Sequence, residues 1–105
     1  MAYAFTQDLP GNKDMYTKLS DRIGDEAPKG LIVHLAFEIG DGMRIVDLWE
    51  SEADFDHFQA ERLGPAMDKV LQEAGVTRES MGRPQEQEMK PVEIFGRNIQ
   101  KKRFS

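Results

Sequence analysis

The chain has 105 residues, 39% apolar and 31% charged, which is enough for one core and too short for a two-domain dehydrogenase, a kinase or an eight-stranded α/β barrel. Nineteen acidic against fourteen basic residues leave a net charge of −5, and Arg97, Lys101, Lys102 and Arg103 fall in the last nine positions, so the remainder is more acidic still and argues against a nucleic-acid footprint. The absence of cysteine excludes disulfides, thiolate metal sites and cysteine nucleophiles, and fits a reducing cytoplasm.

Residues 2–8 alternate, with Tyr3 and Phe5 on one face and Ala4 and Thr6 on the other, until Pro10-Gly11 interrupts the run; this predicts a first strand. Asn12 is placed to cap a helix over about 13–24, in which Met15, Tyr16, Leu19 and Ile23 form one apolar stripe. After a polar connection, residues 31–39 are the most hydrophobic run, predicting a strand buried on both faces. Gly40-Asp41-Gly42 is a hairpin signal that joins this run antiparallel to residues 43–50. Ser51 with Asp54 matches a helix-start capping pattern, and Phe55, Phe58, Arg62 and Leu63 continue one stripe. Beyond Leu63-Gly64-Pro65 a further piece carries Met67, Val70, Leu71 and Ala74 to a stop at Gly75, with a kink predicted at the junction. Periodicity is lost over 76–91, which reads as an exposed loop. Residues 92–95 are the last candidate strand, and 97–105 form a basic, partly frayed tail.

The order strand, helix, strand, strand, helix, strand predicts a single α+β domain over 1–105, a ferredoxin-like split βαβ (βαββαβ) with a four-stranded antiparallel sheet and both helices on one face. Strand two offers apolar residues to both sides, so the second face needs a cover. A second copy of the sheet is the simplest one, predicting a homodimeric barrel.

The run Gly30-Leu31-Ile32-Val33-His34-Leu35-Ala36, then Ile45-Val46-Asp47-Leu48-Trp49-Glu50-Ser51, then Phe55, Phe58, Leu63 and Pro65, resembles the dimeric α+β barrel superfamily, and within it the small antibiotic biosynthesis monooxygenase-like proteins. The resemblance covers about residues 2–96 and is densest over 30–65. It implies a homodimer with facing sheets and, in each protomer, a pocket between sheet and helices that serves cofactor-independent oxygenation, haem breakdown, isomerisation or no assigned reaction. Proven monooxygenases of the superfamily usually carry a histidine about nine residues after the tryptophan that ends strand three. Here Phe58 holds that place and His57 precedes it, a rotation of about 100° on a helix.

His34 is the one titratable group inside the apolar strand, with Ile32 and Ala36 on its face, and imidazole is the side chain suited to moving protons near neutrality. Asp47, on one face with Met43, Ile45 and Trp49, needs a partner, which Arg62 or the second subunit would supply because Arg44 points the other way. His34 and Asp47 are the candidate catalytic residues. Tyr3, Phe5, Trp49 and Phe58 are the candidate ligand-binding wall, with core packing as the alternative role; Tyr16 is read as core or pocket lining and His57 as solvent-facing. Two histidines 23 positions apart do not make a metal centre, and phosphate-loop and nucleophile-elbow motifs are absent, so no cofactor or metal is expected. No apolar run is long enough for a membrane span, and the first eight residues lack the features of a signal peptide.

Three functions fit these residues. One is a cofactor-free monooxygenase, or a related isomerase, acting on a small hydrophobic or aromatic molecule with His34 moving a proton. The second is a dimer that binds or senses such a ligand without turnover, and the third handles haem with His34 as axial ligand.

Overall fold

Alternation in the apolar segments becomes strand pairing in the computed structural model, which describes residues 1–9, 11–81 and 85–104. β1 (Tyr3–Leu9) lies antiparallel to β3 (Gly42–Trp49), with Phe5 opposite Asp47; β3 lies antiparallel to β2 (Leu31–Ile39), with His34 opposite the same Asp47. β4 (Gln85–Met89) pairs with the other edge of β1, giving the order β2-β3-β1-β4 with every neighbour antiparallel. This is the ferredoxin-like α+β sheet the sequence predicts.

The helices start where short polar side chains satisfy orphan backbone donors. Asn12 Oδ1 accepts from the Met15 N–H at 3.0 Å and opens α1 (Lys13–Ile23); Ser51 Oγ accepts from the Asp54 N–H at 3.1 Å and opens α2 (Glu52–Phe58). α3 (Gly64–Ala74) ends at Gly75, whose φ of +70° is the left-handed conformation of a helix stop. Between α2 and α3 the predicted kink is a five-residue π-turn over Gln59–Leu63, closed by the Gly64 N–H on the Gln59 carbonyl. Pro65 has no N–H for the Glu61 carbonyl and its ring would crowd that oxygen in a regular α-helix, which a wider turn relieves. Gly64 is required at the seam, since a Cβ there would sit 2.9 Å from the Gln59 carbonyl oxygen.

Phe5, Trp49 and Phe55 form one buried cluster, joined by Tyr3, Leu31 and Phe58. Leu19, Ala66 and Val70 form a second between α1 and α3, joined by Met15, Ile23, Leu63 and Met67. The core is thus split into an aromatic half on the sheet and an aliphatic half between helices. No helix among the described residues is long and apolar enough to cross a membrane.

Four expectations are corrected. The segment 76–91 is not a loop throughout: it holds a helical turn, α4 (Arg78–Met81), and β4, the fourth sheet strand, which the sequence instead predicts at 92–95. Gln85 to Glu88 are exposed, so this edge strand shows no apolar alternation and is held by its backbone pairing to β1. Residues 92–95 and the tail form a separate hairpin, β5 (Glu93–Gly96) with β6 (Ile99–Arg103), in which Glu93 accepts from Arg103 Nε at 3.1 Å and Lys101 lies over the Phe95 ring. β2 is an edge strand rather than a doubly buried one, and it is exposed from His34 onward. A register shift between Leu31 and Val33 sets Leu31, not Ile32, opposite Trp49 on the helix side. Pro10, Gly82 and Pro84, which the sequence reading uses as breaks, and Ser105 of the tail lie outside the described residues.

The face turned from the helices carries Val33, Leu35, Phe37 and Ile39 of β2 beside Val46 and Leu48 of β3, and Leu35, Phe37 and Ile39 are each nearly half exposed. Arg44 closes the row with a two-pronged contact to Asp8 at 2.7 and 3.0 Å, and its guanidinium holds the Asp8 carboxyl below its usual range.

Ser51→Ala removes the acceptor at the start of α2 and the hydroxyl that donates to the Asp54 carboxylate at 3.0 Å, so urea unfolding should show a loss of about 0.5–2 kcal/mol. An unchanged midpoint and slope would mean the helix is nucleated elsewhere.

Candidate functional site

Asp47 faces the helices from β3 and is only 6% exposed, so both carboxylate oxygens need donors. Trp49, two residues on and therefore on the same strand face, donates Nε1–H to Oδ2 at 3.0 Å. His34, directly across the β2–β3 ladder, brings Nδ1 to 2.5 Å from Oδ1. The other ring nitrogen, Nε2, lies 2.7 Å from the Tyr16 hydroxyl, and the two rings stand nearly parallel, 11° apart. With a carboxylate accepting on one side, the consistent assignment is Nδ1–H donating to Asp47 and Nε2 accepting from the phenol. Phenol, imidazole, carboxylate and indole thus form one hydrogen-bonded chain, Tyr16–His34–Asp47–Trp49. No buried side-chain nitrogen or oxygen among the described residues is left without a partner.

The chain runs along the wall of a cavity of about 710 Å³ between the two core clusters. Phe5, Trp49, Phe55 and Phe58 make its aromatic side; Leu19, Leu63 and Met67 make its aliphatic side; residues 24–28, between α1 and β2, complete the rim. The His34 side chain is 37% exposed and reachable from the cavity, whereas Asp47 and Trp49 are buried behind it. The π-turn contributes Gln59, Ala60 and Leu63 to the lining, and Arg62 pins it by donating Nη2–H to the Ile23 carbonyl at 2.7 Å while its guanidinium lies over the Phe58 ring. Arg62 is therefore not the partner of Asp47, and none is needed from a second subunit.

Of the residues expected from sequence, His34, Asp47, Phe5, Trp49 and Phe58 meet at this cavity. Tyr3 does not: it packs behind Phe5 and Phe55, and its hydroxyl donates to Glu86 at 3.2 Å on β4, an element the sequence reading lacks. His57 is solvent-facing and lies 3.1 Å from Glu61, one helical turn away. Tyr16 is the residue undervalued by periodicity. It occupies an ordinary stripe position on α1, and only the packing of α1 on the sheet brings its hydroxyl to His34. Among the described residues no three His, Asp or Glu side chains converge as metal ligands.

Burial first, then the Asp47 charge, pushes the Tyr16 phenol above its ordinary value, which keeps it a proton donor to His34. Tyr3 is pushed up to about 12, chiefly by burial and next by Glu86.

Neither a protein-family model nor a curated protein matches the sequence. Solved structures do match in fold. One is a candidate antibiotic biosynthesis monooxygenase from Chloroflexus aurantiacus J-10-fl, with a TM-score of 0.65 and 14% identity over 91% of this chain and 98% of that one. Another is Rv0793 from Mycobacterium tuberculosis, with a TM-score of 0.60 and 15% identity over 88% of this chain and 96% of that one. At these identities the likeness is one of fold, and it agrees with the architecture the sequence resemblance implies.

Following phenolate absorbance against pH should show neither of the two tyrosines ionising at the ordinary value of 10.0, with Tyr3 delayed to about 12. Both shifts are upward, so above pH 10 the folded chain holds protons that the unfolded chain has released. Stability is intact below pH 10 and declines as the pH climbs toward 12. Glu86→Gln should lower the Tyr3 midpoint without restoring it fully, because burial is the larger cause.

Proposed function

We propose that the protein is a cytoplasmic homodimer whose cavity performs cofactor-free proton abstraction on a small hydrophobic or aromatic molecule, leading to monooxygenation by dioxygen or to isomerisation. The observation that carries this reading is the Tyr16–His34–Asp47 chain ending at an aromatic cavity. As a substrate O–H or acidic C–H yields its proton to the Tyr16 oxygen, the phenol proton moves to His34 Nε2. The resulting imidazolium faces the Asp47 carboxylate, which Trp49 holds in place. The substrate anion is then electron-rich enough for dioxygen: a methylene becomes a carbonyl, with one oxygen atom retained and the other leaving as water. Reprotonation at a different carbon gives the isomerase outcome. The aromatic wall limits water at the anion.

Haem ligation by His34 is less well supported, because both ring nitrogens are already engaged and an axial bond would have to displace Tyr16 or Asp47. The homodimer is supported by the outward row Leu35, Phe37 and Ile39, which leaves three large apolar side chains in one exposed line.

2-Indanone, an aromatic ketone with acidic methylenes, probes the chemistry in two ways: hydrogen–deuterium exchange at carbon without air, and oxygen uptake with it. His34→Ala should slow exchange by about 10²–10⁴-fold while the far-ultraviolet circular dichroism is kept. His57→Ala should leave exchange unchanged. Binding without exchange or uptake in the parent protein would identify a ligand-holding module instead.

Sedimentation should give twice the chain mass at micromolar concentration, and Phe37→Asp, which puts a charge into the exposed row, should shift the species to the monomer. A monomeric parent protein would remove the barrel from this reading.

A further inference from the structure

The cavity's charges are one-sided. Asp25 and Glu26 reach it from the connection between α1 and β2, Asp56 from α2, and Asp47 from the sheet; Arg78 and His34 are the cationic or potentially cationic side chains on the lining. Both already have a carboxylate partner. The Arg78 guanidinium is gripped by Asp68 through Nε at 3.0 Å and Nη2 at 2.7 Å and also donates to the Gly64 carbonyl at 3.2 Å. His34 is held by Asp47 and Tyr16. Asp25, Glu26 and Asp56, by contrast, have no ion-pair partner among the described residues. Phe5, Trp49, Phe55 and Phe58 belong to the same lining, and aromatic π-electrons also favour positive charge.

We infer that the cavity selects an aromatic molecule carrying a protonated amine and rejects aromatic carboxylates of the same shape. This rests on the reading of the cavity as a substrate site and adds the charge of what enters it. The ring lies against the aromatic wall, close to His34; the ammonium group lies toward Asp25, Glu26 and Asp56. A cleft with an excess of one sign of charge and low-dielectric walls concentrates its field, so a carboxylate would meet repulsion while the lining cations are already paired with carboxylates of the protein.

Three probes share one phenylethyl scaffold: 2-phenylethylamine as the cation, 3-phenylpropanamide as the neutral form and 3-phenylpropionate as the anion. Trp49, the single tryptophan and 1% exposed, reports occupancy of the cavity through its fluorescence. At low ionic strength and neutral pH the amine should bind at least about tenfold more tightly than the carboxylate, with the amide between them and the gap narrowing as salt is added. The triple variant Asp25→Asn, Glu26→Gln, Asp56→Asn changes only exposed positions. It should bring amine and carboxylate to within about threefold while leaving the amide affinity unchanged. Equal affinities in the parent protein, a preference for the carboxylate, no detectable amine binding, or a preference that survives the triple substitution would each overturn the inference. Its failure is separable from that of the proton-transfer reading. Loss of charge preference with His34-dependent exchange of 2-indanone intact removes only the inference; charge preference without any exchange removes only the proton transfer.

Discussion

A carboxylate that is 6% exposed is the constraint around which the rest of the site is organised. Left alone, Asp47 would cost several kcal/mol in desolvation, and the fold avoids this by placing a donor on each oxygen. Trp49 comes from the same strand at a two-residue step and His34 from the neighbouring strand at the paired position. Once both are engaged, the imidazole can turn only one nitrogen outward, and Tyr16 meets that nitrogen. The tautomer, the tilt of the ring and the direction in which protons can move along the chain all follow from the need to satisfy one buried charge.

That carboxylate also lies where the core is divided. The aromatic cluster Phe5, Trp49, Phe55 lies to one side, the aliphatic cluster Leu19, Ala66, Val70 to the other, and the cavity, whose lining includes Asp47, lies between them. The π-turn widens the helix along the same gap, where Leu63 belongs to the lining and packs against the aliphatic half. Arg62 ties this stretch to α1, and Arg78 ties α4 back to Gly64 and Asp68 of α3.

Much of this was legible in the residues, and what was not has physical causes. Strands with one buried face, such as β1 and β3, show their period, and helices with polar caps show their starts, so the element order through Gly75 could be read. β4 could not, because Gln85-Glu86-Gln87-Glu88 is stabilised by backbone bonds to β1 that leave no trace in side-chain hydrophobicity. Missing β4 also hid the Glu86 partner of Tyr3 and made that residue look available for a ligand. Asp47 stands out as an anomaly, yet the segment alone points to Arg62 or a second subunit for its partner; the strand register that delivers His34 instead is a pairing property, invisible along a single segment. Tyr16 gains its role only through the packing of α1 on the sheet, which no local pattern encodes.

The pairing of β2 with β3 has a consequence for how the site comes into being. Ile39 pairs with Gly42 across the two residues Gly40 and Asp41, and from Val33 to Ile39 the register is an unbroken reflection about that turn, which sends position 34 to position 47. The acid–base pair therefore belongs to one contiguous hairpin. It needs no long loop to close before its two members are brought face to face, and hairpins of this kind form in about 1–10 μs. Sequence-distant steps, the docking of α1 and of the aromatic cluster, then add the phenol and the aromatic wall to a pair already in register. An insertion in the turn would change which residue faces Asp47 without touching any residue of the site, so the length of this turn is as much a part of the chemistry as the imidazole.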